Sequence, residues 1–163
     1  LVSISLYEQI LDEKKDINAL LKAKEKIEFF LANYPNTEYA LDLKFKKLLV
    51  ENQLAAKEMY IAKYYITSQK WIPAINRLKV VVKDYSETVF IEEALHRLVE
   101  VYYKIGLTEE AKSAAAILGY NYNSSEWYEQ SYKVLNKNYK KPKKSELKKN
   151  TGLIKRTIKK ILN

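Results

Sequence analysis

The residues able to do chemistry in this chain are cations and aromatic rings rather than nucleophiles. There is one histidine, His96, and no cysteine. Without cysteine there is no disulfide, no thiolate metal site and no thiol nucleophile. One histidine cannot make a His-pair metal site. Glu100 follows His96 by one helical turn as an ordinary i,i+4 neighbour, and no acid–His–nucleophile spacing surrounds the pair. The sequence holds no Gly-rich phosphate loop, no nucleophile elbow and no H-E-x-x-H. Glu92-Glu93 and Glu109-Glu110 fall at expected helix starts, where the helix dipole accounts for them. The expectation is a protein that is not an enzyme and needs no metal or cofactor.

What remains is the chemistry of recognition. Arg77, Lys79, Lys83 and Arg97 lie on one expected helix and its neighbouring hairpin. They could form a basic edge facing acidic groups of a partner, since Arg pairs bidentately with carboxylate. They also fit a solvated face whose local ion pairs are worth little each. Met59, Lys63 and Ile66 in one unit, and His96, Glu100 and Tyr103 in the next, are expected to line the inner surface of a repeat. That surface suits either a partner peptide or helix or a terminal helix of the same chain. Trp71 is expected in the core at the start of its helix, and Trp127 is a second large anchor. Near the end, Lys155, Arg156, Lys159 and Lys160 lie opposite Leu153, Ile154, Ile158, Ile161 and Leu162. A basic amphipathic helix of that kind suits an anionic membrane surface, an acidic partner or, as a rival reading, nucleic acid.

The elements that position these residues are helices. The 163 residues include only three Gly and three Pro, with 47% hydrophobic and 30% charged, which fits a folded all-α chain with one continuous core. The net charge of +9 is lopsided: residues 137–163 hold eleven Lys or Arg against Glu146 alone, so the body is close to neutral. No apolar run approaches the ~18 residues of a membrane span. The chain starts at Leu1 rather than Met and reads as a piece of a longer or processed protein.

Three strings recur: Asn33-Tyr34-Pro35-Asn36-Thr37, Asp84-Tyr85-Ser86-Glu87-Thr88 and Asn121-Tyr122-Asn123-Ser124-Ser125. Each ends one helical pattern, and its last Ser or Thr suits the N-cap of the next. Tyr65 and Tyr102, and Ala74 and Ala111, are 37 residues apart, the period of stacked helical hairpins. From Tyr34 to Tyr85 the spacing is 51, so extra helix lies in that interval. Helices are expected over about 2–13, 17–34, 37–53, 55–68, 72–85, 89–105, 109–120 and 126–137. The absence of Gly and Pro from 37–68 allows its two helices to be one long one. Thr108 is expected to cap the helix that follows it. Three regions result: residues 1–138 as a helical-repeat domain, 139–150 as a basic linker and 151–163 as the amphipathic helix.

The hairpins resemble tetratricopeptide repeats. Ala62, Tyr65, Ala74 and Leu78 fit one repeat, and Tyr102, Gly106, Ala111 and Ala115 the next. Gln69 stands where the turn Gly would be, and Pro35 is the only closing Pro. A narrower resemblance runs through residues 7–135. The words KEM-(x4)-YY, AINR, EALHRLVE-(x)-Y and AA-(x2)-LGYN-(x3)-SEWY, after NYPNTEYALD, resemble the BamD (ComL-type) family in its α-proteobacterial form. That resemblance implies a non-catalytic, lipid-anchored scaffold of the β-barrel assembly machinery, on the periplasmic face of the bacterial outer membrane. It implies docking to a BamA-like barrel-forming subunit, membership with the other assembly subunits, and help in delivering unfolded outer-membrane proteins. It further implies that this chain is the C-terminal, docking half. A general tetratricopeptide adaptor for peptides or partner helices is the alternative.

Overall fold

The computed structural model describes residues 17–123 and 125–139, which form six helices and no strand. These are α1 (Ile17–Asn33), α2 (Glu38–Thr67), α3 (Trp71–Asp84), α4 (Ile91–Lys104), α5 (Thr108–Asn121) and α6 (Glu126–Leu135). The helix expected over 2–13, the linker from 140 onward and the helix of 151–163 lie outside the described residues. Each helix packs on its neighbour in sequence, α2 on α3 and α4 on α5 most extensively, and α6 returns onto α4. This is a tetratricopeptide-like stack of antiparallel hairpins.

Small residues hold the hairpins together. Ala55 and Ala62 of α2, Ala74 of α3, Ala94 of α4 and Ala111 of α5 are 0% exposed. They let backbones approach while Met59, Leu78, Val81, Val99 and Tyr102 fill the space between. Residues 38–67 are a single 30-residue helix, the longer of the two arrangements that the sequence allows. Its lower half pairs with α3, and its upper half pairs with α1. No residue of α1 is fully buried. Ile17 and Leu20 touch the core, and charge does much of the remaining work. Glu51, 5% exposed, takes Lys47 at 2.7 Å and Lys24 at 3.7 Å. Burying a carboxylate is costly unless cations pair with it.

The turns repeat as closely as the helices. Lys70 N–H donates to Tyr65 C=O at 2.8 Å and Gln69 N–H to Ile66 C=O at 3.0 Å; 37 residues on, Leu107 donates to Tyr102 at 2.9 Å and Gly106 to Tyr103 at 3.2 Å. Both are helix endings that require a left-handed residue. Gly106 supplies it with φ +84°, and Gln69 is forced to φ +56°. A Cβ on Gly106 would meet nothing within 4 Å, so backbone preference alone decides its replacement. We therefore expect Gly106→Ala to cost about 1 kcal/mol and Gln69→Gly to cost nothing or stabilise slightly, read from urea midpoints of the two variants.

The caps divide. Ser125 accepts Trp127 N–H at 3.1 Å, as its place before α6 suggests. Thr108 does not cap: it is the first helical residue, Leu107 precedes it and no side chain accepts a capping bond. Thr88 is buried and turns back instead, its hydroxyl donating to Tyr85 C=O at 2.7 Å, so α4 begins only at Ile91.

Candidate partner-binding surface

Four of the expected recognition residues meet in one network across α2, α4 and α6. Lys63 reaches Glu93 at 3.0 Å, and Glu93 also takes Arg97 at 3.4 Å. Arg97 bonds Glu100 at 2.7 Å and lies 5.6 Å from the Trp127 ring centroid. His96 is 3% exposed. Its Nδ1 shares a 2.8 Å hydrogen bond with the Ser131 hydroxyl, which is also buried. Its Nε2 lies 3.4 Å from Glu100, and its ring is 5.0 Å from Trp127. His96 and half-buried Trp127 are therefore committed to the α4–α6 contact, the same-chain packing that the sequence left open beside a partner groove. Met59, at 2% exposure, is core. Tyr103 and Lys63 stay accessible on the inner surface.

The network fixes the state of Glu100. Burial pushes its carboxyl up. The hydrogen bonds and charges of His96 and Arg97 outweigh that and hold it at about 2, against an ordinary 4.5. A carboxyl depressed on folding stabilises the fold above its unfolded pKa and loses that contribution as pH falls from about 4.5 through 2. Glu100 is 38% exposed, so solvent screening reduces the effect to about 1–2 kcal/mol. Urea melts at neutral pH and at the acid end of that window are expected to differ less in Glu100→Gln than in the unsubstituted chain.

Arg77, Lys79 and Lys83 lie elsewhere, on α3. Arg77 spans to Glu58 of α2, with Nη1 at 3.3 and 3.2 Å from the two carboxylate oxygens. Lys79 and Lys83 are exposed. The tail cations Lys155, Arg156, Lys159 and Lys160 lie outside the described residues.

The repeat register shows why the surface around Arg77 stands open, and individual motifs in the sequence gave no sign of it. Tyr64 is 61% exposed, whereas its counterpart 37 residues on, Val101, is 2% exposed. Arg77 is 43% exposed, whereas its counterpart Ala114 is 6% exposed. The flank of the α4–α5 hairpin that packs into the shared core is thus bare on the α2–α3 hairpin. The extra helix explains it. A spacing of 51 instead of 37 between Tyr34 and Tyr85 is fourteen residues of added helix, about 20 Å at 1.5 Å per residue. Among the described residues α1 packs along the N-terminal half of α2, and no helix lies on the flank of its C-terminal half. Tyr65, Ile72, Pro73, Asn76, Arg77 and Val80 line a groove there of ≈ 280 Å³. Of these, Ile72 is 61% exposed.

Fold and flank together define a helical-repeat protein of tetratricopeptide type that presents an open hairpin face. Comparison with known proteins narrows the class. The family model for YfiO, an outer membrane lipoprotein, matches residues 1–118. The outer membrane protein assembly factor BamD of Caulobacter vibrioides is 42% identical over 148 residues, 91% of this chain and 48% of that protein. BamD of Rickettsia prowazekii is 40% identical over 139 residues, 85% of this chain and 55% of its own length. BamD of Vibrio cholerae is 31% identical over 91 residues, 56% of this chain and 38% of that protein. The chain belongs to the BamD family of outer membrane lipoproteins, and it spans about half the length of the first two relatives.

Proposed function

We propose that this chain is a docking scaffold for outer membrane protein assembly, and that the open α2–α3 flank is where it seats a larger partner. The carrying observation is the groove beside Arg77: a hairpin face that is core in the next repeat and bare here. Such a face carries apolar area for burial, with tyrosines whose hydroxyls tolerate water at the rim. Arg77 gives it one charge able to select a carboxylate on the partner. The partner that fits is the periplasmic part of a BamA-like barrel-forming subunit, with the other assembly subunits and unfolded outer-membrane proteins as further contacts. The location that follows is the periplasmic face of the outer membrane. Lys79 and Lys83 extend the basic edge, and Tyr103 and Lys63 supply a second, inner surface. His96, Arg97 and Trp127 shape that inner surface from within the fold.

The relatives are named for assembly, and among the described residues no group of three metal-ligating side chains forms. The assembly names of the relatives support a rigid, non-catalytic role. The test is a titration of the purified chain, with and without residues 140–163, against the periplasmic domain of the barrel-forming subunit from the same source. Saturable binding by both forms supports docking on the repeats. Binding only by the full chain moves the site to the tail, and binding by neither leaves the general peptide adaptor as the better reading.

A further inference from the structure

Among the described residues a single ion pair joins α2 to α3, Glu58 with Arg77. Thirty-seven residues on, the corresponding positions hold Leu95 and Ala114, which are 1% and 6% exposed. The α4–α5 hairpin thus fills both places with apolar side chains, as hairpin packing alone allows. In the α2–α3 hairpin both positions change together, to an acid and a base, and the base lines the groove.

The two partners differ in freedom. Glu58 lies on the 30-residue α2 between Ala55 and Ala62, both 0% exposed, with Met59 beside it in the core. Its side chain is 20% exposed, against 43% for Arg77. Arg77 also stands on core-anchored backbone, next to buried Leu78, but its side chain is longer and reaches further into water. An unheld arginine samples many rotamers, and binding that fixes it loses that freedom.

The bonds to Glu58 leave part of the guanidinium for another group. Arg77 donates through Nη1, at 3.3 and 3.2 Å from the two Glu58 oxygens. Among the described residues its Nε and Nη2 make no hydrogen bond. Those two nitrogens form one edge of the planar fork, and that edge fits both oxygens of a second carboxylate. One guanidinium can therefore join Glu58 on one side to an acidic side chain on the other.

We propose that Glu58 is a positioning residue of the docking site: it holds Arg77 by Nη1 so that the Nε–Nη2 edge stands ready for a carboxylate of the partner. This rests on Arg77 being a docking contact, and it adds a residue that favours an acidic partner without touching it. A competitor for Arg77 would have to occupy the edge that Glu58 leaves open.

The test is binding of the periplasmic domain of the barrel-forming subunit to the full chain and to its Glu58→Ala, Glu58→Gln, Arg77→Ala and combined Glu58→Ala/Arg77→Ala forms, each shown to be folded by a thermal melt. Releasing one rotamer-rich side chain corresponds to about threefold to tenfold in affinity, and Glu58→Ala is expected to lose that much. Glu58→Gln is expected to bind within about twofold of the unsubstituted chain or tighter, since its carbonyl still accepts from Nη1 and no charge opposes the partner's. Once Arg77 is replaced, Glu58→Ala is expected to cost nothing further. In the free chain, nitrogen relaxation at Arg77 Nε is expected to report an ordered group that becomes mobile in Glu58→Ala. Unchanged or tighter binding by Glu58→Ala, with Arg77→Ala still weakened, overturns the positioning role and leaves the docking site standing. Equal losses from Glu58→Ala with and without Arg77 also overturn it, because Glu58 then acts on the fold or meets the partner itself. Unchanged binding by Arg77→Ala removes the docking site and the positioning role together. Unchanged mobility of Arg77 Nε in Glu58→Ala overturns the positioning role whatever the affinities.

Discussion

Leu78→Ala is expected to destabilise the fold by about 3 kcal/mol, the middle of the range for emptying a well-packed leucine site. Leu78 is 0% exposed at the centre of α3, flanked on the same face by Ala74, Ile75 and Val81. That face meets both α2 and α4, so the cavity would sit where the two hairpins join. The surrounding small residues, Ala55, Ala62 and Ala94, have no side chain long enough to fill it. At this chain length the loss corresponds to a fall in Tm of about 6–12 °C. Ile72 on the same helix is the internal comparison: at 61% exposure, Ile72→Ala should change stability by under about 0.5 kcal/mol. Urea melts with equal slopes and a large gap in midpoint between the two variants would confirm that one continuous core carries the repeat. Equal, small losses would mean that the hairpins are held mainly by their polar contacts.

The fold was legible because hairpin stacking leaves a period in the sequence, and the exceptions have physical causes. Tyr65 with Tyr102, and Ala74 with Ala111, announce the 37-residue unit because each pair fills the same space in successive hairpins. Gln69 at the turn-Gly place was visible as a departure. Its φ of +56° shows that the hydrogen-bond pattern of the turn, not the side chain, dictates the backbone there. Thr108 was misread as a cap because a Thr before two acids fits N-cap and first-turn positions equally well; the backbone at Leu107 decides between them. The site was legible only in part. Lys63, Arg97, His96 and Trp127 could be named singly, but whether His96 faces a partner or α6 depends on Ser131, 35 residues away and unremarkable in sequence. The open flank was recorded in the sequence as the interval of 51. Its meaning emerged only from setting Tyr64 against Val101 and Arg77 against Ala114, because exposure depends on what lies alongside.

Arg77→Glu is expected to weaken binding of the periplasmic domain of the barrel-forming subunit by about 10- to 100-fold, or roughly 1.4–2.8 kcal/mol, in a chain that still folds. Arg77 sits at the edge of the groove, 43% exposed, and its partner Glu58 is 20% exposed. A half-buried pair of this kind contributes about 1 kcal/mol to folding, and its reversal adds a repulsion of similar size. Reversal would put two carboxylates side by side within a groove otherwise lined by Tyr65, Ile72, Pro73, Asn76 and Val80. A partner carboxylate arriving there would meet two like charges instead of a guanidinium fork, and like-charge contact at a desolvated site costs far more than the lost attraction alone. Lys112→Glu is the matched control. It is also exposed, also paired on its own helix, with Glu109 at 2.8 Å, and it changes the net charge equally while lying on α5, away from the groove. Loss of affinity in Arg77→Glu alone places recognition on the bare flank. Equal losses in both variants would reduce the effect to long-range attraction between the basic chain and an acidic partner, and raising salt would then erase the difference from the unsubstituted chain. No loss in either would remove the flank as the docking site and leave the inner surface of Lys63 and Tyr103 as the place to look.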